Sequence, residues 1–119
     1  MTANKTLGAF GEKLAKEYLL KNGYRFITQN YKSSYKEIDL IFHLEKKLIF
    51  IEVKTRIKNS ESLLETPLSG LQTKNLKNAL IGYCLKNKVN LDNVRLDLII
   101  ILVDKTTRRA ELKHYLDIF

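Results

Sequence analysis

Apolar residues recur at Leu7, Phe10, Leu14, Ala15, Tyr18 and Leu19, the spacing of one helical face. They predict a helix over Thr6 to Asn22 with Gly23 as its left-handed cap. Tyr24 to Gln29 reads as a strand, Ser33 and Ser34 mark a turn, and Glu37 to Phe42 and Leu48 to Thr55 are two further strands. Helical spacing returns from Thr73 to Asn87 through Leu76, Ala79, Leu80, Tyr83 and Cys84, and "NLDN" at Asn90 to Asn93 breaks it. Arg95 to Val103 is a β-rich apolar run. Ala110 to Tyr115 follows the polar turn "DKTTRR" as a last strand. The order αβββαββ predicts an α/β fold, a central mixed sheet of about five strands flanked by helices.

Within this pattern the stretch Glu37 to Arg56, "EIDLIFHLEKKLIFIEVKTR", carries charges where a strand usually packs. Alternation puts Glu37, Asp39 and Ile41 on one side and Ile38, Leu40 and Phe42 on the other, while Leu48, Phe50, Glu52 and Lys54 share a side. An even-length turn over Leu44 to Lys47 sets Asp39 opposite Glu52 and Glu37 opposite Lys54; an odd one would set charges opposite apolar residues. Facing carboxylates destabilise a sheet unless a positive charge compensates. Lys54 supplies part of it, and a divalent cation is the usual remedy for paired hard oxygen ligands. Since Ile41, Leu48 and Phe50 share the charged face, the pattern reads as a covered sheet opening into a cleft. Glu12 lies at the border of the helix-one stripe, placed either to lean toward the sheet or to sit in water at the helix start.

Composition narrows the function classes. The 119 residues carry 21 Lys and Arg against 13 Asp and Glu, a net charge of +8 that favours polyanions, nucleic acid first. The longest apolar run, Leu98 to Val103, is far short of the roughly 20 residues a membrane span needs, and no helix joins a basic face to a large aromatic one. No membrane association is expected. A lone cysteine, Cys84, permits neither an internal disulfide nor a second thiolate ligand, and the chain reads as cytoplasmic. One domain is expected over 1–119. Residues 1–5 read as a frayed tail and 56–72 as a mobile loop, whose "RIKNSESLLETPLSG" holds the only proline. His43 and His114 have no evident partners and read as incidental, whereas Arg95 and Asp97 share a strand face and read as a structural ion pair.

"GEKLAKEYLLKNGY" at Gly11 to Tyr24, "EIDLI" at Glu37 to Ile41, "FIEVKTR" at Phe50 to Arg56, Lys74 and "RLD" at Arg95 to Asp97 together resemble the uncharacterised YraN-like family. That family is similar in turn to the PD-(D/E)xK nuclease superfamily, near the Holliday-junction resolvases. The resemblance runs in order over nearly the whole chain, which is far more specific than an isolated E-x-K. It implies a restriction-endonuclease-like fold and, at matching positions, Asp39 and Glu52 as acidic metal ligands, Lys54 as the catalytic lysine and Glu12 as the helix-one glutamate. The sequence departs from the pattern at Lys36, where the family usually has Gly, at Phe42, where it has a small residue, and at Ile38, where the superfamily has proline.

The resemblance thus implies a Mg2+- or Mn2+-dependent endonuclease acting on DNA, branched DNA included. Asp39, Glu52 and the Val53 carbonyl would hold the ion, Glu12 would join directly or through water, Lys54 would act on the attacking water or the developing charge, and Glu37 would steer Lys54. Lys36, Arg56, Lys58, Lys74 and Lys77 are the expected phosphate contacts, and resolvase-like relatives imply a homodimer. The alternative is a non-catalytic nucleic-acid-binding or protein-interaction module that retains the fold; intact Asp39, Glu52 and Lys54 weigh against it. An RNA-binding protein would show exposed aromatics on a sheet face, and here most aromatics follow apolar periodicities.

Overall fold

A two-residue turn at Glu45 and Lys46 sets the register on which the site depends. Glu45 adopts φ 53°, the left-handed region that tight hairpins require. Leu44 pairs with Lys47, His43 with Leu48, Phe42 with Ile49, Ile41 with Phe50 and Leu40 with Ile51. This is the even register expected, with Leu44 and Lys47 on the ladder rather than in the loop. The computed structural model describes residues 3–34, 36–58 and 70–118.

The elements are α1 (Ala3–Lys21), β1 (Arg25–Tyr31), β2 (Ile38–Leu44), β3 (Lys47–Ile57), α2 (Gly70–Asn87), β4 (Val94–Asp104) and β5 (Arg109–Tyr115), with a 3-10 turn at Leu91–Asn93. They form one mixed sheet in the order β1-β2-β3-β4-β5, parallel between β3 and β4 and antiparallel elsewhere. The predicted order αβββαββ is the observed one. The element boundaries shift by up to three residues from those expected, and two of the shifts change a reading. Helix α1 begins at Ala3, inside the expected tail. The expected loop of 56–72 is shortened from both ends, since Arg56 and Ile57 still pair with Leu102 and Val103 and α2 starts at Gly70. Its remainder, 59–69, lies outside the described residues.

Parallel neighbours need a crossover, so α2 covers one face of the sheet and α1 the other. Ile41, Leu48, Phe50 and Leu96 pack with Leu76, Ala79, Leu80 and Cys84 of α2. Leu40, Phe42, Ile49, Ile51, Ile99 and Ile101 pack with Ala15 and Leu19 of α1. Phe42 is fully buried, its ring edge-on to Tyr24 and Phe26, so α1's side of the core has room for a large residue there. Helix α1 lies close on β3: a methyl added at Gly11 would overlap the Thr55 hydroxyl. Among the described residues no helix is long and apolar enough to cross a membrane.

Candidate active site

Beyond the Leu40–Ile51 rung, β2 leaves its partner. The Val53 N–H donates to Asp39 Oδ2 at 2.8 Å, so an aspartate side chain takes the donor that backbone would accept in a regular ladder. Strict alternation ends here: Ile38 packs with Ile41 on the α2 side instead of with Leu40 and Phe42. The splay brings Asp39 toward Glu52 within the sheet. In an extended strand a residue's N–H and C=O point to one edge, so the Val53 carbonyl is turned the same way as the N–H that Asp39 holds.

Glu52 is 1% exposed. Its Oε2 meets Lys36 Nζ at 3.0 Å and Lys54 Nζ at 3.4 Å, while its Oε1 is buried with no hydrogen-bond partner among the described residues. Burial alone would push this acid up. The hydrogen bond from Asp39 and the Lys36 and Lys54 ammoniums instead hold it below the usual carboxylate range. Asp39 takes the opposite course, pushed up to about 9 by burial and then by Glu52, with the Val53 N–H opposing. The pair therefore keeps a proton on Asp39, which relieves the facing charges in the absence of a cation.

Glu12 is half-buried and leans toward the sheet, its carboxyl raised by burial and then by the charges of Glu37 and Glu52. Asn30 holds it there. With its amide nitrogen facing the acids, Asn30 Nδ2 donates to Glu12 Oε1 at 2.9 Å and to Glu37 Oε1 at 3.1 Å. Asn30 adopts φ 52° between Gln29 and Tyr31, which pair with Leu40 and Ile38 of β2. Sequence reasoning missed this residue. Asn tolerates left-handed backbone better than most residues, but nothing local says that the amide meets two carboxylates.

The structure thus gathers Glu12, Glu37, Asp39, Glu52, Lys54 and Lys36 around the open end of the hairpin. One expected contact differs. Glu37 meets Asn30 rather than Lys54, because the ladder that would have paired them ends at Leu40. Lys36 meets Glu52, because the turn through Ser33 directs it inward. Lys54 and Arg56 line a cleft of about 480 Å³ between β3 and the start of α1, with Leu7, Gly8, Val53, Thr55 and Ile57. Lys58 is exposed where β3 ends, near Asp104, and Lys74 is exposed on α2. Lys77 borders a smaller cavity with Val94, Arg95 and Leu96, level with the hairpin turn and away from the acids.

Among the described residues no three His, Cys, Asp or Glu side chains close on one point. The donors present are two adjoining carboxylates, an inward carbonyl and a half-buried glutamate, with one buried carboxylate oxygen unpartnered. That set suits Mg2+ or Mn2+, which bind through one or two carboxylates and keep several waters.

A second polar centre lies on the α1 side. Asp97, fully buried, accepts from Arg95 Nε and Nη2, both at 2.9 Å, from the Asp117 N–H at 2.9 Å, and pairs with His114 Nε2 at 2.8 Å. His114 Nδ1 lies 2.9 Å from the Tyr18 hydroxyl. The expected Arg95–Asp97 pair is present. His114, expected to be incidental, instead joins α1 to β4; its partners are too distant in sequence for local reading to find.

The description "uncharacterised protein family UPF0102" matches residues 11–101. Similar chains include UPF0102 proteins of Syntrophomonas wolfei, 31% identical over 116 residues covering 98% of this chain and 99% of the relative. That of Alkaliphilus oremlandii is 33% identical over 114 residues, covering 93% and 95%, and that of Clostridioides difficile 38% over 100 residues, covering 81% and 84%.

Proposed function

The chain belongs to the uncharacterised protein family UPF0102, whose description names no activity, and we propose from its site that it is a metal-dependent endonuclease hydrolysing phosphodiester bonds of DNA, branched DNA included. The observation that carries this reading is Glu52, buried beside Asp39 with one oxygen that has no partner among the described residues, at the point where β2 parts from β3 and next to an ammonium. A sheet that needed only stability would put apolar residues there. The five-stranded mixed sheet also agrees with the restriction-endonuclease-like expectation.

Asp39, Glu52 and the Val53 carbonyl would hold Mg2+ or Mn2+, and Glu12, steadied by Asn30, would join directly or through water. The chemistry such an ion supplies is polarisation of the scissile phosphate and a lowered pKa for an attacking water. Lys54, 16% exposed, would orient that water or meet negative charge growing on the phosphate. Lys54 and Arg56 along the cleft, with Lys58 beyond it, offer cations for the DNA backbone, consistent with the net charge of +8. The partner in this reading is cytoplasmic nucleic acid, met by one chain or by the homodimer that resolvase-like relatives imply.

The test is cleavage of linear, flapped and four-way DNA with Mg2+ or Mn2+ by the wild type, Asp39→Ala and Lys54→Ala. Cleavage of at least one substrate, falling by on the order of 10²-fold in each variant, is expected. Cleavage that survives both substitutions, or none with either ion, overturns the assignment. Salt-sensitive DNA binding without cleavage would favour the non-catalytic module.

A further inference from the structure

Lys36 is aimed inward, at a buried acid. Its Nζ lies 3.0 Å from Glu52 Oε2, nearer than Lys54 at 3.4 Å. The backbone that carries it is fixed by Ser33, whose hydroxyl accepts the Lys36 N–H at 3.0 Å and donates to the Lys36 carbonyl at 2.6 Å. The anchored main chain points a long, flexible side chain at the carboxylate that has the strongest claim to a metal.

Two ammoniums therefore share one oxygen of Glu52, while the other has no hydrogen-bond partner among the described residues. A divalent ion arriving at Glu52 would meet both positive charges, and one must retreat. Lys54 springs from β3, held against β4 on the Lys54–Ile100 rung, and its side chain is 16% exposed. Lys36 precedes β2, outside the ladder, and its side chain is 26% exposed, so it has the easier path to water. We propose that Lys36 is the resident counter-ion of Glu52, a built-in competitor that a divalent cation must displace, and that it sets the concentration of metal at which the site loads. The proposal rests on the metal-dependent reading above and adds a specificity-determining residue to it.

The test is calorimetric titration of Mg2+ and of Mn2+ into the full chain without DNA, for the wild type, Lys36→Met, Lys36→Ala, Lys36→Arg and Asp39→Asn, with thermal melting to show that each is folded. Lys36→Met and Lys36→Ala should bind the ions about tenfold more tightly than the wild type, the size expected for a residue that touches a ligand rather than the metal. Lys36→Arg, which keeps the charge, should stay near the wild type, and Asp39→Asn should lose binding. Unchanged or weaker binding in both neutral variants, with binding still lost in Asp39→Asn, overturns the role of Lys36 and leaves the metal centre standing. Absence of binding in the wild type and every Lys36 variant overturns both.

Discussion

Asp39 and Val53 are joined by a hydrogen bond from a backbone N–H to a side chain, 2.8 Å long, at the first position where β2 and β3 no longer pair. The contact does two jobs. It satisfies a strand donor left over when the ladder opens, and it turns the carboxyl toward Glu52 instead of toward either face.

These jobs separate by substitution. Asp39→Asn keeps an acceptor for Val53 and puts an amide donor to Glu52 in place of the Asp39 proton, so the metal-free variant should melt no lower than the wild type while losing Mg2+ binding. Asp39→Ala leaves the Val53 donor unsatisfied and removes the hydrogen bond from Asp39 to Glu52, and should cost about 1–3 kcal/mol. Urea unfolding of the two variants beside the wild type measures the difference.

Proton and metal compete at the same pair. The folded Asp39 value, about 9, lies above the ordinary 3.8, so the stability this proton contributes is complete below 3.8 and lost as pH rises through 9. Metal-free protein should melt at lower temperature at about pH 10 than at about pH 6, and this loss should shrink in Asp39→Asn. Mg2+ affinity should rise with pH over the same window, with proton release visible by calorimetry in two buffers of different ionisation enthalpy.

The Asp97 centre responds to pH with the opposite sign. Burial opposes its charge, but the His114 and Arg95 hydrogen bonds and the Asp117 N–H hold it below the usual range. Its contribution is present above the ordinary 3.8 and lost as pH falls through the lower folded value. Asp97→Asn should cost about 3 kcal/mol near neutrality, the lower end for a broken buried pair because Arg95 keeps 17% exposure. Its stability should also fall less steeply in acid. Metal affinity per folded molecule should be unchanged, which titration checks.

Gly11→Ala drives a methyl into the Thr55 side chain, on a strand where the branched residue has little rotational freedom. The expected cost is about 1–3 kcal/mol. Thr55→Ala in the same chain should recover part of it, so a double-mutant cycle over unfolding free energies should give a coupling above about 0.5 kcal/mol. Because Glu12 follows Gly11, the single variant should also weaken Mg2+ binding.

Much of this site could be read from residue order. Hydrophobic alternation from Leu40 to Ile51, with an even turn, sufficed to place Asp39 near Glu52, since any other register buries charge against apolar side chains. The UPF0102 matches bear out the family seen in "EIDLI" and "FIEVKTR". What escaped reading depends on departures from regular geometry. Lys36 reaches Glu52 because Ser33 bends the chain, Glu37 turns to Asn30 because β2 splays, and Asn30 faces the acids from left-handed backbone. Tyr18, His114 and Asp97 meet across elements that sequence spacing does not relate.

The single parallel pairing, β3 against β4, has a kinetic consequence. Hairpin β2–β3 closes over two residues and can form in microseconds, whereas β4 must wait for the whole α2 crossover before its first rung repays the entropy of closing that loop. Asp39 and Glu52 flank the last rung of the fast part, whereas Lys54 lies beyond it on the Ile100 rung of β4. Substitutions that weaken the β3–β4 interface should therefore act mainly on the late, slow step of folding, after the register that brings the two acids together has been chosen.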